Sequence, residues 1–84
     1  MGQQITVGKD AQLKQGESFE WVTPGMEECE VFRCKPPLEQ DPYKVKPGVP
    51  TPAKVSNDAE KKDHKYHYKC GNGPVRTNPK LIIS

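Results

Sequence analysis

The stretch from residue 64 to residue 70 constrains the fold more than any other part of the chain. It reads His-Lys-Tyr-His-Tyr-Lys-Cys, and the character of its side chains alternates with a period of two residues. In an extended strand the side chains of Tyr66, Tyr68 and Cys70 point to one side, and His64 lies at the edge of that side. The basic side chains point to the other side: Lys65, His67 and Lys69. The pattern predicts a half-buried strand with an aromatic core face and a basic solvent face.

Further strands are predicted where β-branched, aromatic and other apolar residues alternate with polar ones. They cover residues 3–7, 17–23, 27–35 and 80–84, with shorter strands at 11–14 and 43–45. The facing of residues 27–35 stays open, because Cys29 and Val31 lie on one side and Phe32 and Cys34 on the other. No stretch has a helical period with an apolar face. The chain is therefore expected to fold as one all-β domain, an antiparallel sandwich or small barrel over residues 1–84.

Residues 36–63 are predicted to form an irregular Pro-rich and polar loop within this domain. Six of the nine prolines fall between residues 36 and 52, which excludes an interior helix and makes long ladder strands unfavourable. Residues 56–63 are polar and have no apolar face. They are compatible with one helical turn capped by Ser56 or Asn57, or with an open loop.

Composition limits the classes of partner. The net charge is +2, which does not favour a nucleic-acid partner. We find no apolar run of membrane-spanning length and no signal-peptide core, and we expect no membrane span. The first six residues formally match an N-myristoylation pattern at Gly2, but Ile5 and Val7 suit a strand better. The three cysteines, at 29, 34 and 70, allow one disulfide with a free thiol, or three thiols.

Four stretches of the sequence resemble strands of the cupredoxin family, the blue-copper proteins. Residues 16–21 (Gly-Glu-Ser-Phe-Glu-Trp) are similar to the family's strand from glycine to tryptophan, and residues 29–32 (Cys-Glu-Val-Phe) look like the next strand. Residues 66–70 resemble the penultimate strand, which ends in the copper-binding cysteine, and residues 80–83 resemble the last strand. The resemblance implies a Greek-key β-sandwich and covers most of the chain outside residues 36–63.

The immunoglobulin fold is the competing interpretation, because Tyr68 and Cys70 also suit its Tyr-x-Cys strand. That fold requires a cysteine before its core tryptophan, and no cysteine precedes Trp21. The cupredoxin-like interpretation is therefore favoured.

The usual copper site of the family is expected to be absent, and no cofactor is predicted. Cys70 falls where the family has its cysteine ligand, but Cys29 stands where a histidine is usual, and residues 71–79 hold neither His nor Met. The resemblance implies that Cys29 and Cys70 converge near the vacated site, or that Cys34 takes the place of Cys29 if the strand faces the other way. The candidate disulfide is therefore Cys70 with either Cys29 or Cys34.

A zinc or other soft-metal site is the alternative for the same sulfurs. Its candidate ligands are Cys29, Cys34, Cys70, His64 and His67. Zinc sites prefer closely spaced cysteine pairs, and an extended strand would separate the sulfurs of Cys29 and Cys34. The two histidines are three residues apart, so on a strand they face opposite sides.

The sequence thus predicts a non-enzymatic, copper-free binding or structural module, monomeric, with a protein as the candidate partner. No serine, histidine and acid are spaced for nucleophilic catalysis, and no glycine-rich phosphate loop is present. The alternative is a metal-binding (Cu or Zn) or thiol-redox domain that uses Cys29, Cys34 and Cys70. The resemblance implies a periplasmic or extracellular location.

Overall fold

The computed structural model describes residues 3–84, so the N-myristoylation pattern at Gly2 lies outside the described residues. Within this range the chain forms no helix and nine short strands: β1 (Gln3–Thr6), β2 (Ala11–Leu13), β3 (Ser18–Val22), β4 (Cys29–Phe32), β5 (Tyr43–Val45), β6 (Thr51–Lys54), β7 (Asp63–Lys65), β8 (His67–Cys70) and β9 (Lys80–Ile83). The prediction of an all-β fold is confirmed. None of these described residues belongs to a helix that is long and apolar enough to cross a bilayer.

The strands form three small sheets, in the orders β1–β3–β6, β2–β9–β7 and β5–β4–β8. Only Tyr66 separates β7 from β8, so one continuous stretch of chain joins the second sheet to the third. That stretch is the predicted strand of residues 64–70, divided into two pairings: β7 pairs with β9, and β8 pairs with β4.

The prediction of a purely antiparallel arrangement is wrong at two places. β1 runs parallel to β3, and β2 runs parallel to β9. Parallel neighbours need a crossover between them. Here β2 provides it for the first pair, because the chain leaves the sheet of β1, forms β2 in a different sheet, and returns to β3 in its original direction. Two of the three sheets are therefore mixed, and the β5–β4–β8 sheet is purely antiparallel.

Side chains from all three sheets meet in one core. Trp21 of β3 is fully buried, and its ring lies 5.2 Å, centroid to centroid, from the rings of both Phe19 and Tyr66. Tyr66 belongs to the stretch that joins the other two sheets, so the aromatic contact holds the β1–β3–β6 sheet against them. The inward facing of Phe19, Trp21 and Tyr66 follows the alternation of the sequence.

The open question of how β4 faces has a local answer. Cys29 and Val31 point into the core, whereas Phe32 is only half-buried on the outer side. Cys34 is nevertheless buried as well, because β4 ends at Phe32 and Arg33 adopts a left-handed backbone conformation with φ of 53°. The turn at Arg33 breaks the alternation, so cysteines from both predicted faces reach the interior.

Residues 36–63 do not form one irregular loop, since they contain β5 and the unpredicted strand β6. β6 pairs antiparallel with β3 although Pro52 lies within it. The Val55 amide donates to the carbonyl oxygen of Glu17 at 2.9 Å, so alternation along this ladder puts Pro52 in a non-hydrogen-bonded pair with Glu20. Proline's missing N–H is therefore not needed at that position of an edge strand.

The polar part of this segment has no helical turn, but it is attached to the sheet. Ala59 is buried, and a ring nitrogen of His64 (Nε2) lies 2.8 Å from the carbonyl oxygen of Glu60. His64 thus ties residues 56–63 to β7.

Candidate functional site

Cys29 and Cys70 form a disulfide between neighbouring strands. They lie directly opposite each other in the antiparallel pair of β4 and β8, with their Cα atoms 4.0 Å apart. The amide of Gly71 donates to the carbonyl oxygen of Glu28 at 2.9 Å, so Glu28 and Gly71 form the hydrogen-bonded pair next to the disulfide. Cys29 and Cys70 therefore occupy a non-hydrogen-bonded position, where the side chains of opposite residues come closest. This is one of the two pairings that the sequence left open.

The disulfide lies at one end of the molecule, which we call the disulfide end. Cys29 begins β4, and its partners in the ladder, Val45 and Cys70, end β5 and β8. β3 ends and β6 begins at the same end, because the loops 23–28 and 46–50 connect these strands directly to β4 and β5. The disulfide end therefore consists of the loops 7–10, 23–28, 46–50 and 71–79.

The exposed large hydrophobic side chains of the described residues all lie on loops of the disulfide end. Met26 is 89% exposed, Val49 is 59% exposed and Val75 is 51% exposed. They belong to three different loops, so their shared location is a product of the topology and not of local sequence. These side chains make this end of the molecule more apolar than the rest of its surface.

The third cysteine is a protonated, buried thiol. Cys34 is fully buried, and its Sγ lies 3.3 Å from the carbonyl oxygen of Gln40. Burial, assisted by the negative charge of Asp41, raises the pKa of Cys34 to about 12. A thiol with this pKa stays protonated at neutral pH, so in this buried state it is a poor nucleophile.

The five candidate metal ligands are not assembled into one centre. Across residues 3–84 no three side chains of His, Cys, Asp or Glu lie close enough to hold a metal ion. Cys29 and Cys70 are brought together, but their sulfurs are bonded to each other. His64 faces inward and contacts Glu60, whereas His67 lies on the outer face.

One structural contact of the central stretch could not be predicted. The hydroxyl group of Tyr66 accepts a hydrogen bond from the Gly8 amide at 3.0 Å and donates one to the carbonyl oxygen of Lys9 at 2.8 Å. Burial raises the pKa of Tyr66, so the phenol keeps the proton that it donates. Tyr66 thus fixes the loop 7–10 of the disulfide end. The sequence carries no local signal for a contact between residues this far apart.

Comparison with family models, with curated proteins and with solved structures gives no match for this chain. The class that the structure defines is an all-β domain of two mixed sheets and one antiparallel sheet, with one disulfide between adjacent strands.

Proposed function

We propose that this chain is a copper-free, cupredoxin-like domain that acts as a non-catalytic binding or structural module. The observation that carries the proposal is the disulfide between Cys29 and Cys70. The resemblance assigns the position of Cys70 to a copper-binding cysteine and that of Cys29 to a histidine. In a disulfide neither sulfur is a thiolate, so a cross-link stands where the family would hold a metal.

The distribution of strands supports the cupredoxin-like interpretation. The four segments that carry the resemblance each overlap a strand: β3, β4, β8 and β9. The immunoglobulin alternative is less compatible with the disulfide, because that fold joins its two sheets through a disulfide packed on tryptophan. Here the bond joins adjacent strands of a single sheet.

The binding role is supported by the loops of the disulfide end. Met26, Val49 and Val75 expose apolar surface at the tips of loops that a cross-linked scaffold holds. Loops on a rigid sandwich commonly carry recognition. The Pro-rich segment contributes Val49 to this set. We therefore expect a protein partner, and an oxidising compartment, either periplasmic or extracellular, in which the disulfide persists.

Mass spectrometry and metal analysis of the same preparation test the proposal. Denatured, unreduced protein treated with iodoacetamide should gain one label, on Cys34, and reduced protein should gain three. After incubation with Cu²⁺ or Zn²⁺ and desalting, plasma mass spectrometry should find far less than one equivalent of metal.

Two results would replace this proposal with the alternative. Stoichiometric metal that is lost in Cys70→Ala would show a metal-binding domain. A disulfide reduced reversibly near the potential of thioredoxin, about −270 mV, would show a thiol-redox domain. Cys34→Ala is the matched control, because it removes a cysteine outside the disulfide. It should leave the metal content and the reduction potential unchanged.

A further inference from the structure

A basic surface covers the outer side of the joined sheets. We define this basic outer face by the outward side chains of β5, β8, β7 and β9: Lys44, Lys65, His67, Lys69 and Lys80, together with Glu30 and Phe32 of β4 and Asp63 of β7. Each of these positions alternates with buried or half-buried neighbours that point to the core. Four lysines against two carboxylates give the face an excess of two positive charges, which equals the net charge of the whole chain.

The opposite side of the molecule has no such excess. The outer face of the β1–β3–β6 sheet carries Glu20 and Lys54, one charge of each sign, among uncharged residues. Among the charged residues of the strands, the positive excess therefore lies on one side of the molecule.

Two of the four lysines are available to a partner. Glu30 lies 4.0 Å from the ammonium group of Lys69, and Asp63 lies 3.5 Å from that of Lys80. Lys44 and Lys65 form no ion pair with any residue between 3 and 84. The two strand carboxylates of the face each lie beside a lysine, and Arg33 and Asp41 at its edge contribute one charge of each sign. The charge left over is that of Lys44 and Lys65, so the face presents a positive potential to a partner.

An aromatic pair lies within this charged surface. Phe32 is half-buried, and its ring meets the ring of His67 edge-on with the centroids 5.7 Å apart. His67 lies between Lys65 and Lys69 on the same side of the strand. A shallow groove of about 430 Å³ opens beside Phe32 and is lined by Glu30, Phe32, Arg33, Asp41, Pro42 and Lys69.

We propose that the basic outer face binds an acidic segment of a partner protein that carries an apolar or aromatic side chain. The apolar side chain occupies the groove at Phe32, and the carboxylates of the segment lie near Lys44 and Lys65. This inference rests on the proposed function as a binding module and names the partner's chemistry. Charge complementarity selects an acidic segment, and Phe32 and Pro42 in the groove offer apolar contact to an anchor side chain.

Other anionic partners fit this face less well. Sequence-independent binding of single-stranded nucleic acid uses aromatic rings on which bases stack. Tyr66 and Tyr68 point away from this face, and the half-buried Phe32 ring is already in edge-to-face contact with His67. A lipid surface would be expected to meet exposed apolar side chains, and those lie on the disulfide end instead.

The test uses metal-free, oxidised protein and a random copolymer of glutamate and tyrosine as the probe. Amide chemical shifts measured by NMR should change for β4, β5, β7 and β8 and stay constant for β1 and β3. Poly-glutamate, which lacks the anchor, should bind more weakly. Lys65→Glu should weaken copolymer binding by about fivefold or more, because it reverses a lysine that has no ion-pair partner.

Lys54→Glu is the matched control, since it makes the same charge change on the opposite sheet and should leave the affinity nearly unchanged. Equal losses for both variants, no binding of the copolymer, or tighter binding of oligothymidylate or phosphatidylserine vesicles would each overturn the proposal. Urea unfolding of both variants checks that they fold. Metal content and disulfide reduction are measured separately, so failure of this surface is distinguishable from failure of the proposed function.

Discussion

Reduction of the Cys29–Cys70 disulfide should remove a large share of the stability of this domain. The two cysteines are 41 residues apart in the sequence. In the loop-entropy description, a cross-link of this span restricts the unfolded chain by an amount worth about 4 kcal/mol at 25 °C. A domain of 84 residues has a free energy of unfolding of about 4–12 kcal/mol. Reduction should therefore remove between about a third and nearly all of that free energy.

The only tryptophan of the chain supplies the assay. Trp21 is fully buried between Phe19 and Tyr66, so its fluorescence reports loss of the core. Urea unfolding with and without a phosphine reductant should give free energies that differ by about 4 kcal/mol. The midpoint of thermal unfolding should fall by about 15–30 °C. Reduction deletes no side chain, so the comparison contains no cavity term.

Two controls make this result interpretable. Cys34→Ala protein should show the same difference, which excludes thiol exchange as its origin. The double variant Cys29→Ala/Cys70→Ala should be insensitive to the reductant. A difference below about 1 kcal/mol would refute the reasoning, because it would mean that the cross-link hardly restricts the unfolded chain.

Three further predictions concern single positions. Tyr66→Phe removes both hydrogen bonds to the loop 7–10, so the free energy of unfolding should fall by about 1–3 kcal/mol. Hydrogen exchange at the Gly8 amide should become faster in this variant. Unchanged stability would contradict the role of the hydroxyl group. Gly8→Ala should lower the free energy of unfolding in urea by about 1 kcal/mol more than Gly48→Ala does. Both glycines have positive φ, but only at Gly8 would a β-carbon meet the Tyr68 ring, at 2.9 Å. Equal losses of stability in the two variants would exclude that clash. Cys34 should react with iodoacetamide at pH 8 only as fast as the protein unfolds. Because the pKa of Cys34 rises from 9.0 to about 12 on folding, its contribution to stability should be lost as the pH rises from 9 towards 12. The free energy of unfolding, measured in urea over this pH range, should therefore fall less steeply in Cys34→Ala.

The alternation of residues 64–70 was sufficient to predict which of its side chains face the core. Tyr66 is buried and Lys65 and Lys69 are exposed, as a period of two requires. Hydrophobic alternation is a local property, so it survives whatever the strand pairs with. The division of the stretch into β7 and β8 was not predictable, because it depends on which distant strands supply the partners.

Pairing and register are the parts of the fold that the sequence could not provide. The parallel neighbours of β1 and β2 are set by how the chain crosses between sheets, and no residue in either strand encodes that path. β6 was not predicted, because a proline fits in a strand only where its missing N–H is not needed. The sequence does not show which residues of the strand would donate hydrogen bonds. Cys34 was left ambiguous because the left-handed conformation of Arg33, which turns Cys34 inward, is uncommon for a non-glycine residue.

The candidate site depends on the same register. Cys34 lies five residues beyond Cys29, which corresponds to about 15 Å along an extended chain. A disulfide needs Cα atoms within about 7 Å of each other, so the ladder that puts Cys29 opposite Cys70 also excludes Cys34 from that bond. A three-sulfur metal centre would have to close the same gap and would break the β4–β8 pairing. The register therefore allows this scaffold one cross-linked pair and one isolated thiol, and it is the reason that we prefer a binding module to a metal centre.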